Sequence, residues 1–283
     1  MSNRIDRRFA ELAESGRAGL IPYITAGHPS PEATVAVMHR LVEGGADLLE
    51  LGVPFSDVMA DGPVIQNACQ RALDAGMTLD RVFDMVRAFR TDDADTPVIL
   101  MGYMNPIERR GLTTFVEQAA EAGVDGLLIV DCPADEAEET RSALEQYGMH
   151  QVFLVAPTTT ESRLQRMAPM AGGFVYYVSL KGVTGSAALD ADALAPAIDR
   201  LRAHTPVPVA VGFGISTPEQ AADVARVADA VVIGSALVKA LDASDTVEDA
   251  VAVAGRFADS IRSAMDAARS SGDDRGNDRV AEA

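Results

Sequence analysis

Residues Leu49–Pro63 read LELGVPFSDVMADGP, a short apolar strand that leads into an irregular loop. The strand is hydrophobic at successive positions, which is typical of a parallel strand covered on both faces. Glu50 interrupts it, and an ionised carboxylate is costly to bury among leucines unless it has a partner, a raised pKa or a catalytic task. Asp61 follows in the loop, so two carboxylates lie near one strand end, an arrangement suited to general acid–base chemistry.

The same pattern, an apolar run followed by an amphipathic helical segment, recurs along the chain. Eight runs share it: Leu20–Thr25, Asp47–Gly52, Pro97–Gly102, Gly126–Asp131, Gln151–Ala156, Phe174–Ser179, Val207–Val211 and Ala230–Gly234. The helical segments between them include Pro31–Gly44, Leu112–Ala122, Ala134–Tyr147 and Thr217–Ala228. Eight strand–helix units in about 250 residues predict a (β/α)₈ TIM barrel. An open doubly wound sheet is the alternative, but no GxGxxG motif follows the first strand.

The barrel is expected to form a single α/β domain over residues 1–268, with two additions. An amphipathic N-terminal helix precedes the first strand, and an extra helical segment lies between the second and third strands. Residues 269–283 are small, polar and charged, which predicts a disordered acidic tail. Ser30-Pro31 and Thr217-Pro218 each place a capping residue before proline, which predicts two helix starts.

The chain is strongly acidic. Its 283 residues carry 42 acidic and 24 basic side chains, a formal net charge of −18, and its only lysines are Lys181 and Lys239. This charge argues against nucleic acid and anionic membranes as partners. An acidic, lysine-poor composition is typical of a halophilic protein from a high-salt cytoplasm, a hypothesis that predicts lower stability in dilute buffer. No apolar run approaches the roughly 20 residues of a membrane span, and the N-terminus lacks a signal-peptide core, so we expect a cytoplasmic protein.

Neither a metal site nor a disulfide is indicated. Cys69 and Cys132 lie far apart and form no CxxC pair. The four histidines are scattered, without the spacing of a zinc site. We therefore expect no metal centre, and we interpret Cys132 as a small buried hydrophobic residue.

Glu50 shares a strand face with Leu48 and Gly52, which we interpret as the interior of the barrel. Apolar walls there would raise its pKa and let its carboxyl group pass a proton in both directions. From position alone, a buried ion pair with an arginine explains Glu50 equally well. Asp61 lies in the loop that follows, and because its Asp-Gly pair is a common turn, a purely loop-shaping role is the simpler interpretation of this residue taken by itself.

Glycine-rich segments follow the last three predicted strands. Gly182-Val-Thr-Gly185 comes after the sixth, Gly212-Phe-Gly214 after the seventh, and Gly234-Ser235 opens a short helix after the eighth. Glycine lets backbone N–H groups approach an anion, and the loops after strands seven and eight are a recurring phosphate site in barrels. Three such loops in succession predict a phosphorylated substrate.

Tyrosines end three of the predicted strands. Tyr23 and Tyr103 end the first and third, and Tyr176 and Tyr177 end the sixth. An aromatic ring at a barrel mouth suits a pocket for a flat substrate, although ordinary core filling is the simpler interpretation for each one taken singly.

Several motifs together resemble the tryptophan synthase α subunit family. LELGVPFSDVMADGPVIQ is similar to the signature of that family, and each further motif is similar to the family's segment at the same strand: IPYITAGHP, MGYMNPI, LIVDCP, FLVAPTTT, FVYYVSLKGVTG, VGFGIS and VIGSALVK. The resemblance runs from about Arg4 to Ala268 and leaves only the tail outside it. It implies a barrel lyase of tryptophan biosynthesis that cleaves indole-3-glycerol phosphate to indole and glyceraldehyde 3-phosphate.

The resemblance also implies roles for single residues. The catalytic carboxylates of the family fall on Glu50, expected to shuttle protons, and Asp61, expected to accept a hydrogen bond from the indole N–H. The implied substrate-binding residues are Tyr23 at the indole region, Tyr176 beside the substrate, and the phosphate-binding Gly185, Gly214, Gly234 and Ser235, with Gly212 flanking. Val58, His28 and Leu180-Lys181 depart from the usual residues of the family, which bears on loop mobility and on the subunit contact.

The resemblance further implies that this chain needs no cofactor or metal. Pyridoxal phosphate is expected in a partner β subunit, within a heterotetramer of two α and two β subunits. Two other functions stay open at this point. One is another phosphate-binding barrel of indole or ribose-phosphate metabolism, which would not be expected to carry the Glu50–Asp61 spacing. The other is a non-catalytic chain that activates the β subunit, against which two intact carboxylates argue.

Overall fold

Eight parallel strands form a closed barrel in the computed structural model, which describes residues 3–178, 191–212 and 214–277, with only the backbone for 191–193 and 271–277. Each strand is hydrogen-bonded to its neighbour in sequence, and the eighth strand closes the barrel against the first. The predicted (β/α)₈ barrel is therefore confirmed, and the open doubly wound sheet is excluded because the sheet has no edge.

All eight predicted strands are present, with ends within two residues of the predicted ones. The strands are β1 Gly19–Thr25, β2 Leu49–Gly52, β3 Val98–Gly102, β4 Gly126–Ile129, β5 His150–Val155, β6 Val175–Val178, β7 Val209–Gly212 and β8 Ala230–Ile233. The prediction works because each strand is buried on both faces, which leaves an uninterrupted apolar run in the sequence. The sixth run was predicted to end at Ser179, which lies outside the described residues.

Helices cover the outside of the barrel and close one end. They are α1 Arg4–Glu14, α2 Thr34–Glu43, α3 Pro63–Asp74, α4 Leu79–Asp92, α5 Met104–Arg110, α6 Leu112–Ala122, α7 Glu138–Gln146, α8 Glu161–Met167, α9 Ala191–Arg202, α10 Pro218–Ala225, α11 Ser235–Leu241 and α12 Val247–Asn277. The N-terminal helix is α1, and two helices, α3 and α4, connect β2 with β3. Both predicted additions to the barrel are therefore confirmed.

Several local predictions need correction. The segment predicted as a helix from Ala134 first forms a 3₁₀ turn over Ala134–Glu136, and α7 begins only at Glu138. The start of α2 is Thr34 rather than Pro31, because the Ser30 hydroxyl accepts a hydrogen bond from the N–H of Ala33 and holds a turn before the helix. The short helix α5 was not predicted. Its proline, Pro106, lies in the first turn, where a missing N–H breaks no helical hydrogen bond, and Gly111 with φ 87° separates α5 from α6.

The N-terminal helix α1 closes the amino end of the barrel. Its buried residues Ile5, Phe9 and Leu12 belong to one hydrophobic cluster with inward-facing strand residues, and the rings of Phe9 and Phe174 are 5.6 Å apart. The Asn3 side chain accepts a hydrogen bond from the N–H of Ile5 and so caps this helix. Because α1 fills the amino end, a site inside the barrel can open only at the carboxyl ends of the strands.

Three aspartates tie neighbouring strands together at the amino end. Each lies just before an even-numbered strand, accepts a backbone N–H at the start of the preceding strand, and forms an ion pair with an arginine. The partners are Leu20 and Arg262 for Asp47, Val98 and Arg90 for Asp125, and Val209 and Arg202 for Asp229. These contacts are stability features, because they lie at the opposite end of the barrel from the strand carboxyl ends.

The last helix, α12, continues beyond Ala268 to Asn277. The Arg269 side chain donates hydrogen bonds to the carbonyl oxygens of Ala225, at 2.7 Å, and Ala228, at 2.8 Å. The division of the chain into a domain over residues 1–268 and a disordered tail over 269–283 stays a prediction. No helix in the described ranges is both long enough and apolar enough to span a membrane.

Candidate active site

Glu50 lies inside the barrel near the carboxyl end of β2. In the sheet it is paired with Tyr23 of β1 and Ile99 of β3. Leu48, two residues earlier, belongs to the interior cluster, so strand alternation directs Glu50 to the same side. The residue is only 2% exposed to solvent. A carboxyl group thus stands at the mouth of a hydrophobic barrel core.

The surroundings of Glu50 disfavour its charged form. Its Oε1 atom is buried and has no hydrogen-bond partner, and within the described ranges no arginine forms an ion pair with it. Burial first, and the charge of Asp61 second, raise the pKa of Glu50 to about 8. The ion-pair explanation is therefore unsupported. A carboxyl group with this pKa is largely protonated at neutral pH, and it can both donate and accept a proton.

Asp61 lies in the loop between β2 and α3. Its Oδ2 atom accepts a hydrogen bond of 2.7 Å from the hydroxyl of Tyr103, which follows β3. The backbone carbonyl of Asp61 accepts a second hydrogen bond, of 2.8 Å, from the side-chain amide of Gln66. Burial raises the pKa of the Asp61 carboxyl above its ordinary value, and the Tyr103 hydrogen bond offsets only part of this rise. The carboxylate is held by a specific partner, which a purely loop-shaping role does not require.

Both of the predicted substrate-binding tyrosines stand over strand-end glycines. A Cβ atom on Gly52 would overlap the hydroxyl of Tyr23, and one on Gly212 would overlap the hydroxyl of Tyr176. Burial raises the pKa of both phenols well above the ordinary value, so both remain neutral. The Tyr23 hydroxyl also lies 3.2 Å from the hydroxyl of Thr25. The glycines therefore have a steric role, giving room to the two rings, which the sequence did not reveal.

Two of the glycines predicted to bind phosphate, Gly214 and Gly234, lie among the described residues, and they follow β7 and β8. Gly214 is exposed and adopts φ 76°, and Gly234 precedes the first helical residue of α11, the exposed Ser235. Gly234 also packs beside Tyr23, since a Cβ there would lie 3.4 Å from the Tyr23 Cβ. Gly185 lies outside the described residues. Among the described residues, no group of histidine, cysteine, aspartate and glutamate side chains could hold a metal ion.

The hydrogen bond from Tyr103 to Asp61 was not predicted, because the sequence analysis considered Tyr103 only as an aromatic ring lining a pocket or filling the core. The contact between Tyr103 and Asp61 could have been anticipated, because the two residues follow β3 and β2. These strands are parallel neighbours, so their carboxyl ends lie side by side. Of the residues that depart from the family's usual ones, Val58 lies in the same loop as Asp61 and is buried in a hydrophobic cluster with Tyr23 and Tyr103, and Leu180-Lys181 lies outside the described residues. His28 is buried as well, with Nε2 3.1 Å from the Asp242 carboxylate.

Known proteins are similar to this chain in sequence and in fold. The family model of the tryptophan synthase alpha chain matches residues 9–266. The tryptophan synthase alpha chain of Laribacter hongkongensis is 57% identical over 242 residues, 86% of this chain and 92% of the relative. That of Ralstonia nicotianae is 53% identical over 265 residues, 94% of this chain and 100% of the relative.

Solved structures of tryptophan synthase are similar to this chain in fold as well. Tryptophan synthase subunit alpha from Legionella pneumophila superposes with a TM-score of 0.88 and 45% identity, covering 94% of this chain and 99% of that one. A chain of tryptophan synthase from M. tuberculosis gives 0.81 and 35% identity, covering 93% and 100%. The matches give no support to the expectation of a high-salt cytoplasm, and they argue against a different phosphate-binding barrel. The chain belongs to the tryptophan synthase alpha chain family.

Proposed function

We propose that Glu50 and Asp61 carry out the reaction of this family. The chain is a lyase of tryptophan biosynthesis, which cleaves indole-3-glycerol phosphate to indole and glyceraldehyde 3-phosphate. The observation that supports these two roles is the buried, unpartnered oxygen of Glu50, whose pKa is raised in part by the charge of Asp61. A buried carboxyl group with a raised pKa at a barrel mouth is a characteristic general acid–base catalyst.

The reaction is a retro-aldol cleavage in which one carboxyl group moves two protons. Protonated Glu50 donates its proton to the third carbon of the indole ring, so that the ring can accept the electrons of the breaking bond. The Glu50 carboxylate then takes the proton of the side-chain hydroxyl while the carbon–carbon bond breaks. The aldehyde forms, the electron pair returns to the ring, and Glu50 ends the cycle protonated. A pKa of about 8 keeps both forms of Glu50 accessible near neutral pH.

Asp61 has an electrostatic role in this scheme. Its carboxylate accepts a hydrogen bond from the ring N–H and stabilises the positive charge that develops on the protonated ring. The hydrogen bond from Tyr103 supports this role, because it lowers the pKa of Asp61 against the effect of burial.

Binding of the phosphate is assigned to the loops after the last strands. Gly214, Gly234 and Ser235 offer backbone N–H groups at the carboxyl ends of β7 and β8, and Gly185 is proposed for the same role. A phosphate bound there holds the substrate in register for the distant ring chemistry. The substrate ring is proposed to lie between Tyr23 and Tyr176, with Gly212 giving Tyr176 its room.

The physiological assembly is proposed to be a cytoplasmic heterotetramer of two such chains with two β subunits. Membership in the family implies a complex with the β subunit, because the family is named as the alpha chain of tryptophan synthase. The β subunit would receive the indole and hold pyridoxal phosphate for tryptophan synthesis. This chain would then need no cofactor of its own.

The test is indole release from indole-3-glycerol phosphate, measured with and without the β partner. We expect Glu50→Gln to abolish turnover and Asp61→Asn to reduce it about 100-fold or more, because each removes a charge or a proton that the transition state needs. Glu43→Gln, an exposed change on α2, is the matched control and should keep full activity. Turnover at the unmodified rate in Glu50→Gln would remove Glu50 from the mechanism, and the same result in Asp61→Asn would remove Asp61.

A further inference from the structure

Tyr103 touches the loop between β2 and α3 at three points. Its ring lies 5.8 Å from the ring of Phe55, measured between centroids. Its phenol oxygen accepts a hydrogen bond of 3.1 Å from the backbone N–H of Ala60. Its hydroxyl donates the 2.7 Å hydrogen bond to Oδ2 of Asp61. The Tyr103 residue is only 4% exposed, and its two hydrogen bonds are partly buried.

These contacts determine the direction of the phenol hydrogen. A phenol has one proton, and the N–H of Ala60 already occupies a lone pair of the oxygen, so the proton points towards Asp61. Burial and the neighbouring Asp61 raise the pKa of Tyr103, which keeps it a donor. Among the described residues, Tyr103 is the one side chain that hydrogen-bonds the Asp61 carboxylate.

The placement of Tyr103 gives its contact a positioning effect. Tyr103 directly follows β3, and β3 is paired in the sheet with β2, which carries Glu50. Asp61, in contrast, lies on a loop, which by itself would hold a side chain less precisely than a strand does. Tyr103 therefore connects the loop-borne carboxylate to the rigid part of the barrel on which Glu50 lies.

We propose that Tyr103 is a positioning residue, which engages Oδ2 of Asp61 and leaves Oδ1 to accept the N–H of the indole ring. The inference rests on the proposed catalytic role of Asp61. The hydrogen bond from Tyr103 favours the ionised form of Asp61 and fixes the direction of its carboxylate, and Tyr103 takes no part in the proton transfers. Its contribution belongs to the transition state, where positive charge develops on the ring, so losing it lowers kcat more than it raises KM.

The test is Tyr103→Phe, which keeps the ring and its contact with Phe55 but removes the donor. The pKa of Asp61 should rise, because the hydrogen bond that lowers it is gone. The acid limb of kcat/KM against pH should therefore move to higher pH by about one unit, with kcat/KM about tenfold lower on that limb. Tyr177→Phe removes a buried tyrosine hydroxyl from the outer face of β6 and should leave the profile unchanged.

A double-mutant cycle with Asp61→Asn separates this inference from the proposed function. If Tyr103 acts through Asp61, Tyr103→Phe should have little further effect on kcat in the Asp61→Asn background. An acid limb that stays in place, or an equal loss in both backgrounds, would overturn the positioning role while leaving Asp61 catalytic. Full activity of Asp61→Asn itself would overturn the proposed function instead. Thermal melting of Tyr103→Phe, expected to match the unmodified protein, confirms that the assays compare folded molecules.

Discussion

At the scale of single residues, Glu50 shows how a group that we propose to be catalytic can lower the stability of the fold. Its ordinary pKa is 4.5, and in the folded chain it is about 8. At a pH between these two values, Glu50 is mostly ionised in the unfolded chain and mostly protonated in the folded chain. The contribution of Glu50 to stability is therefore fully present below pH 4.5 and is lost as the pH rises through about 8. An ionised Glu50 in the barrel has no described ion-pair partner to offset this loss.

This linkage predicts that Glu50→Gln stabilises the fold in a pH-dependent way. Glutamine is uncharged at every pH, so the melting temperature of the variant should exceed that of the unmodified protein at pH 9, with a difference that shrinks towards pH 5. The free-energy difference at high pH should reach a few kcal/mol, on the order expected for a shift of this size. Urea unfolding across this pH range measures it. A difference that does not change with pH would show that Glu50 is not buried with a raised pKa.

At the scale of elements, the strand ends are shaped by what stands over them. Gly52 and Gly212 end β2 and β7, and the hydroxyls of Tyr23 and Tyr176 occupy the space that a side chain would fill. Gly102 ends β3 in the same way, but a Cβ there would meet nothing nearer than the Val53 Cβ, at 3.4 Å. Identical residues at equivalent positions therefore carry different constraints.

We expect Gly52→Ala to cost about 1–3 kcal/mol of stability and to lower activity, because the new methyl group must displace the ring of Tyr23. Gly102→Ala is the matched control, and its free energy of unfolding should stay within about 0.5 kcal/mol. Urea unfolding and indole release measure both effects. Equal tolerance at the two positions would contradict the steric role of Gly52.

The aspartates at the amino end of the barrel stabilise the fold through their backbone hydrogen bonds and their ion pairs with arginines. We expect Asp125→Ala to cost about 3–5 kcal/mol, because it leaves the largely buried Arg90 and the N–H of Val98 without their partner. Asp229→Ala should cost less, since the side chains of Asp229 and Arg202 are 34% and 42% exposed. The rate of indole release per folded molecule should be unchanged in both variants. A loss of turnover with normal stability would show that this end of the barrel takes part in the reaction.

At the scale of the whole molecule, α12 joins the end of the chain to its beginning. Arg262, buried on this helix, pairs with Asp47 and donates a hydrogen bond of 2.9 Å to the carbonyl of Ala18, just before β1. Arg269 ties the same helix to the carbonyl of Ala225, the last residue of α10, and to that of Ala228 just beyond it. The ring of strands is thus reinforced by a helix that spans from the last strand–helix unit to the first.

Two truncations test where the folded unit ends. A chain that stops after Ser270 keeps Arg269, and its free energy of unfolding should stay within about 0.5 kcal/mol of the full chain. A chain that stops after Ala268 loses the Arg269 hydrogen bonds and should be about 1–2 kcal/mol less stable. Urea unfolding measures both. A large loss of stability in the chain that stops after Ser270 would show that residues 271–283 support the fold.

Most of the architecture was predictable from the sequence, and the exceptions have local causes. The eight strands were predictable because burial on both faces leaves a run of apolar residues. Thr217 caps α10 as predicted, and the helix begins at the next residue, Pro218. The side chains of Thr217 and Gln220 form a capping box there. The start of α2 was misplaced, because Ser30 satisfies the backbone of a turn rather than of the helix.

The sequence by itself determined the barrel and drew attention to Glu50, since apolar periodicity and a charge out of place are both properties of the linear order. Only the tertiary structure decided that Glu50 has no ion-pair partner within the described ranges, that Tyr103 donates to Asp61, and that Gly212 gives room to Tyr176. These are contacts between different strand–helix units. Distance along the chain says nothing about such contacts, because they exist only after the sheet has closed and its strand ends have been brought together.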